Sequence, residues 1–304
     1  MRIAIASHIV LDSLEGLDKS VTSSAGGPPC YAGLTCRRFG FDVVLATKVG
    51  RDLPESILRL LSEEKIFLEQ TKFVDSPTTR FSITADNESR RMVIQARCEQ
   101  LATSDVENIK ADCWLVSPVF DEVPPGVLGA IKSNAGTKKF VMLDPQGYMR
   151  SADKLGNVTA TPQKIDLDLA GIRAIKVDQD EMRALTGGHE GLQGMRDLQS
   201  RGIEFIVSTM PDEIHLLHKE THYWAKIRHI DAADSTGAGD ILAGAFCCAY
   251  IKEKDPLWAL CFGAGAVRAA LETGEQGLNK VPSFSRIEEN ASYLYNTIGF
   301  KKLS

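Results

Sequence analysis

The 304-residue chain is long enough to bury a large core, and its 43% hydrophobic and 25% charged content is ordinary for a folded protein. A net charge of −5, without a long run of like charge, gives no support to nucleic-acid or membrane-surface binding. Seven scattered cysteines without a C-x-x-C pair predict small apolar packing residues in a reducing compartment, hence a cytoplasmic protein.

The first predicted element is a buried strand at 2–7. Its apolar stretch arrives too early for a secretory signal, and Asp12 and Glu15 follow at once. Further strands are predicted at 42–49, 113–117, 139–143, 174–177 and 204–208, with helices at 53–64, 125–134, 179–185 and 192–200 between them. Such alternation predicts an α/β fold with a mostly parallel central sheet flanked by helices. Segments 79–85 and 90–96 break the alternation as a polar-faced hairpin turning at DNES, and with 9–24 they predict a small separate sheet. A second hairpin is predicted at 213–218 and 222–227, and helices at 239–252, 256–272 and 285–296 close the chain. The longest apolar run, 241–251, is far too short to span a bilayer.

The stretch DSTGAGDILAGAF (234–246) places a Gly-rich turn before a helix start, where backbone N–H groups can approach an anion. Leu242 occupies the third glycine position of a dinucleotide fingerprint, and no Gly-Lys-Ser/Thr follows, so neither nucleotide motif applies. A plain helix start capped by Ser235 or Thr236 explains the glycines alone. Asp240 in the first turn suits the helix dipole but not a stored phosphate, since charges about 4 Å apart repel by roughly 4 kcal/mol at an effective dielectric near 20. A carboxylate there makes chemical sense if it takes a proton from a hydroxyl attacking a phosphoryl group, kept ionised by the positive helix end.

DSTGAGD resembles the D-x-T-G-A-G-D signature of the ribokinase-like (PfkB) carbohydrate kinases. AGGPPCYAGLTCRRFG (25–40), TKVGRD (47–52) and VDQDEMRALTG (177–187) resemble further motifs of that family in the expected order. The resemblance implies one ribokinase-like domain over 1–304, with lid segments near 9–24 and 75–98. It implies Asp240 as catalytic base, Gly237, Ala238 and Gly239 as anion hole, and Asp12, Gly26, Gly27, Tyr31 and Asp144 at the substrate. Asp178, Glu181, Thr209 and Thr236 fall at the nucleotide, with Glu181 helping to place Mg²⁺. ATP and Mg²⁺ are the implied cofactors, and the resemblance admits a monovalent cation and a homodimer through the lid. GGPPCYAG and LDPQGYMR (143–150) are similar to the inositol-kinase-like branch, so the expected activity is phosphorylation of a small sugar or polyol hydroxyl. A nucleoside kinase of the same superfamily and a non-catalytic ligand-binding relative are the alternatives.

The chain departs from the pattern in three places. Asp178 replaces the usual Asn, Tyr31 stands where many sugar kinases carry Asn, and STMPDE (208–213) lacks both glycines of the usual T-x-G-x-x-G. A plain turn accounts for Gly26 and Gly27 equally well, a surface pair for Asp144 and Arg150, and helix entry for Asp234. His215, His218 and His222 are expected as exposed hairpin residues, Arg80, Arg90 and Arg91 as solubilising charges, and Cys247 and Cys248 as packing.

Overall fold

The computed structural model describes residues 1–15, 21–85, 90–136, 139–160, 165–228, 230, 232 and 234–303. The N-terminal part contains β1 (Arg2–Ala6), β2 (Val10–Glu15), β3 (Val21–Gly26), α1 (Pro28–Arg38), β4 (Asp42–Gly50), α2 (Glu55–Glu63), β5 (Ile66–Phe67) and β6 (Thr71–Val74). The middle contains β7 (Arg80–Ala85), β8 (Arg90–Ala96), β9 (Cys113–Val116), α3 (Pro125–Ala135), β10 (Phe140–Leu143), β11 (Arg150–Ala152), β12 (Val158–Ala160) and β13 (Ala174–Val177). The remainder runs α4 (Gln179–Thr186), α5 (Gly191–Ser200), β14 (Phe205–Met210), β15 (Glu213–His218), β16 (Thr221–Lys226), α6 (Ala238–Glu253), α7 (Pro256–Leu271), α8 (Phe284–Tyr295) and β17 (Gly299–Lys302).

The main sheet has the order β17-β16-β15-β14-β13-β10-β9-β1-β4-β5, with β6 also paired to β4. Pairing is parallel from β14 through β4, and antiparallel from β14 out to β17. Because side chains alternate along a strand, each central strand feeds two cores. Ile3, Ile5, Leu115 and Met142 join the layer of α1, α6, α7 and α8, whereas Ala4, Ala6, Val116 and Leu143 join that of α3, α4 and α5. Helix α6 is buried all along 240–251, which explains its unbroken apolar run without a membrane. Among the described residues no helix is long and apolar enough to cross a bilayer.

The helix starts follow local chemistry. Asp255 caps α7 by accepting N–H groups of Leu257 and Trp258, and Pro256 sits where no N–H is needed. Asp178 and Glu181 cap α4 reciprocally. The edge strand β17 escaped sequence reading because GFKK is short and polar, and it earns strand geometry only from β16.

A second sheet, β3-β2-β7-β8, stands beside the first. Its hairpin is not polar on both faces. Phe81, Ile83 and Ile94 are buried with Val10 against Val119 and Phe120, which fixes this sheet over the C-terminal ends of β1 and β9. The DNES turn lies outside the described residues. The C-terminal ends of β9, β10 and β13 pass into Ser117, Asp144 and Asp178, so polar groups collect at the edge where open α/β sheets receive ligands.

Candidate active site

Asp144 and Lys176 follow β10 and lie in β13, adjacent parallel strands. Both side chains project toward the α6 layer, since Met142 and Ala174, two residues earlier, belong to that core. They meet as a buried ion pair, with Lys176 Nζ donating to Asp144 Oδ2 at 3.0 Å. Asp144 is fully buried and is not the surface partner of Arg150. Glu181 Oε2 lies 3.9 Å from the same ammonium while accepting the N–H of Asp178 at 2.8 Å. Burial works against the Lys176 charge, but Asp144 and Glu181 together hold its affinity for the proton above the usual lysine range. Burial raises the Glu181 carboxyl despite the neighbouring ammonium.

The Gly-rich turn stands directly above this pair. Gly237 adopts φ 79° as the N-cap of α6, and a Cβ there would run into the Tyr31 ring. A Cβ on Gly239 would lie 3.2 Å from Lys176 Nζ. The Lys176 ammonium therefore lies against the first turn of α6, and Lys176, Ala238 and Gly239 line one cavity. Asp240 is 7% exposed in that turn. Burial first, then the charge of Asp144, push its carboxyl up to about 7, while Lys176 and Arg150 restrain the rise. The helix end therefore does not keep Asp240 firmly ionised, as the sequence reading expected. Removal from water outweighs the dipole.

Asp12 is 5% exposed and acts electrostatically on both Asp240 and Tyr31. Gly26, cross-strand to Val10, leaves room for this carboxylate, because a Cβ at 26 would run into Asp12 Oδ2. Gly27, at φ 81°, starts α1 and delivers Tyr31, which is 1% exposed. Burial and then Asp234 drive the Tyr31 phenol upward, so it stays protonated, and its hydroxyl has no hydrogen-bond partner among the described residues. Ser24, the cross-strand neighbour of Asp12, also has a buried hydroxyl without a partner among the described residues. Asp12, Tyr31, Ser24 and Asp240 thus gather between the small sheet and the helix start.

Asp234 has a structural task. Its Oδ1 accepts the N–H of Thr236 at 2.8 Å, and its Oδ2 accepts that of Gly277 at 3.0 Å. Lys280 Nζ lies 2.7 Å from Oδ2 and also donates to the Asp234 carbonyl oxygen at 3.0 Å. This clamp fixes the chain entering the turn.

Thr209 lies with Asp178, Lys176, Ser235, Ala238 and Gly239 along a cavity of about 530 Å³. Ile227, Ile230, Val267 and Leu271 give its other side an apolar surface. The missing glycines of 208–213 are accommodated here, because Asp212 takes the left-handed turn position at φ 61°. Thr236 contributes the N–H that closes onto Asp234.

Three residues of consequence were not singled out in the sequence. Lys176 left a faint signal, a lysine inside the apolar strand AIKV, whereas Lys280 left none. Glu122 accepts N–H groups of His8, Val119 and Phe120 at 3.1, 2.7 and 2.9 Å, binding the loop whose Val119 carbonyl accepts Arg150 at 2.7 Å. The hairpin histidines are not exposed surface residues. His215 is 7% exposed and hydrogen-bonds His222 at 2.9 Å, and His218 stacks on Phe205. Arg80 pairs with Asp52 and Arg91 with Asn157, while the side chain of Arg90 lies outside the described residues. Cys247 and Cys248 are buried.

The fold has counterparts among solved structures. The chain is 20% identical over 91% of its length to the cytidine kinase of Thermococcus kodakarensis, covering 96% of that protein. A pyrophosphate-dependent kinase in the ribokinase family, complexed with a pyrophosphate analog and myo-inositol, superposes at TM-score 0.80 with 19% identity, over 94% of this chain and 99% of that one. The Arabidopsis thaliana ribokinase complexed with ribose and ATP superposes at 0.72 with 17% identity, over 95% and 98%. Residues 3–280 match the model of the pfkB family carbohydrate kinases. The chain therefore belongs to the pfkB family and is a carbohydrate kinase.

Proposed function

We propose that the chain transfers the terminal phosphoryl group of ATP to a hydroxyl of a small sugar or polyol of the inositol or pentose/hexose type. The observation that carries this reading is Asp240, buried in the first turn of α6 beside the Gly237–Gly239 amides, with a carboxyl that titrates at about 7. A base of that strength accepts a hydroxyl proton and releases it again near neutrality. The acceptor lies between Asp12, the Gly26–Gly27 turn, Tyr31 and Asp240, beneath the small sheet acting as a lid that excludes water. The acceptor oxygen bonds to the γ-phosphorus as the bond to the β-phosphate oxygen breaks. Asp240 takes the acceptor's proton, and the amides of the turn stabilise the equatorial oxygens.

Among the described residues no group of three potential ligands could cage a metal. Glu181, buried at the start of α4 beside Lys176, is the residue that would help to hold Mg²⁺, and the ion would supply neutralising charge for the donor's phosphates. The apolar wall of Ile227, Ile230, Val267 and Leu271 favours a donor with a flat base over bare pyrophosphate. An ADP-release screen over inositol, ribose, fructose, sugar acids and nucleosides, with a parallel phosphate-release assay using pyrophosphate as donor, tests the reading. Turnover confined to nucleosides would replace the polyol acceptor, and turnover with pyrophosphate alone would replace ATP.

A further inference from the structure

We infer that Lys176 is a further catalytic residue, whose ammonium contacts a non-bridging oxygen of the phosphoryl group in transfer. The inference rests on the phosphotransfer reading above. An ammonium has three N–H groups, and Lys176 places one hydrogen bond among the described residues, to Asp144 at 3.0 Å. Glu181 at 3.9 Å is a charge contact without a hydrogen bond. A buried cation with donors to spare is costly unless a ligand uses them.

The position names that ligand. Nζ lies 3.2 Å from where a Cβ of Gly239 would stand, so it stands against the first turn of α6, whose opening N–H groups have no partner within the helix. Lys176 also lines the donor cavity beside Ala238 and Gly239, which makes this 7% exposed residue reachable from that side. An anionic oxygen entering there meets backbone N–H groups from one side and an ammonium from the other. Asp144 aims the lysine, because the two side chains come from adjacent strands and point the same way. A compact point charge suits a tetrahedral group whose oxygens shift during transfer.

The competing account is that Lys176 only neutralises Asp144. Two variants separate the accounts: Lys176→Met, and the pair Lys176→Met with Asp144→Asn, which removes the stranded carboxylate. Each is measured for turnover and, independently, for binding of adenylyl imidodiphosphate with Mg²⁺ by calorimetry. The inference expects the paired variant to melt near the wild-type temperature, yet to lose about 100-fold or more in kcat and tenfold in analogue affinity, with acceptor KM within threefold. Recovery of both kcat and analogue affinity in the paired variant would overturn it. If the wild-type enzyme shows no turnover with any donor, the phosphotransfer reading fails first. Asp144→Asn alone, which keeps the ammonium beside Glu181, is expected to retain kcat and analogue affinity within tenfold of wild type; a loss there as large as in the paired variant would assign the effect to Asp144 and overturn the inference.

Discussion

Lys280 Nζ lies 2.7 Å from Asp234 Oδ2, with the two side chains 1% and 7% exposed. The pair ties the segment entering the Gly-rich turn to the chain after α7, and Gly277 N–H adds a second tie to the same carboxylate. Breaking one side of a buried pair strands the other charge. Lys280→Met is therefore expected to cost about 3–5 kcal/mol in urea unfolding. Adding Asp234→Asn should recover most of it. A single variant that unfolds at the wild-type midpoint would show that the clamp carries no strain of this kind.

Asp240 sets function against stability. Its carboxyl rises from 3.8 to about 7 on folding, so between those values the folded chain binds the proton more tightly than the unfolded one. Stability then falls as pH increases through that window, by at most about 4 kcal/mol once both are passed. Asp240→Asn should cost roughly 10²–10⁴-fold in kcat while raising the melting temperature at pH 8. The gain should vanish near pH 4. An active variant, or one less stable at pH 8, contradicts this role.

The same group sets the acid limb of activity. A base must be unprotonated to act, so kcat/KM is expected to fall tenfold per pH unit below about 7 and to level off above it. A flat profile from pH 5 to 8 would exclude Asp240 as the titrating base.

The Tyr31 hydroxyl is buried without a partner among the described residues, so removing it breaks no hydrogen bond they make. Tyr31→Phe should leave melting unchanged or slightly higher and raise the acceptor KM about 3- to 10-fold. An unchanged KM with lowered stability would assign the phenol to the core instead.

Gly237 is held at φ 79° against the Tyr31 ring. Gly237→Ala adds a left-handed penalty of about 1–2 kcal/mol and displaces the ring or the turn. Both melting temperature and kcat are expected to drop, and wild-type kcat in this variant would show that turn geometry does not govern transfer.

Much of this molecule is local and was therefore legible. The strand at 2–6 and the helix at 238–253 follow from side-chain alternation and from apolar continuity bounded by glycine. The Gly237–Asp240 turn follows from residues that are neighbours in the chain. The hairpin histidines and the polar-faced lid were misread for a common reason. Residue type records affinity for water, not which surface a neighbouring layer happens to cover.

The sequence by itself determined an α/β chain with a phosphate-friendly helix start and a carboxylate in it, because those features need only adjacent residues. Only the tertiary structure decided how strong a base that carboxylate is and what stands beside it. Asp144 and Lys176 are 32 residues apart and Lys280 and Asp234 are 46 apart. Their pairing exists only after the sheet and helices have packed, and the burial that lifts Asp240 is a property of all those layers together.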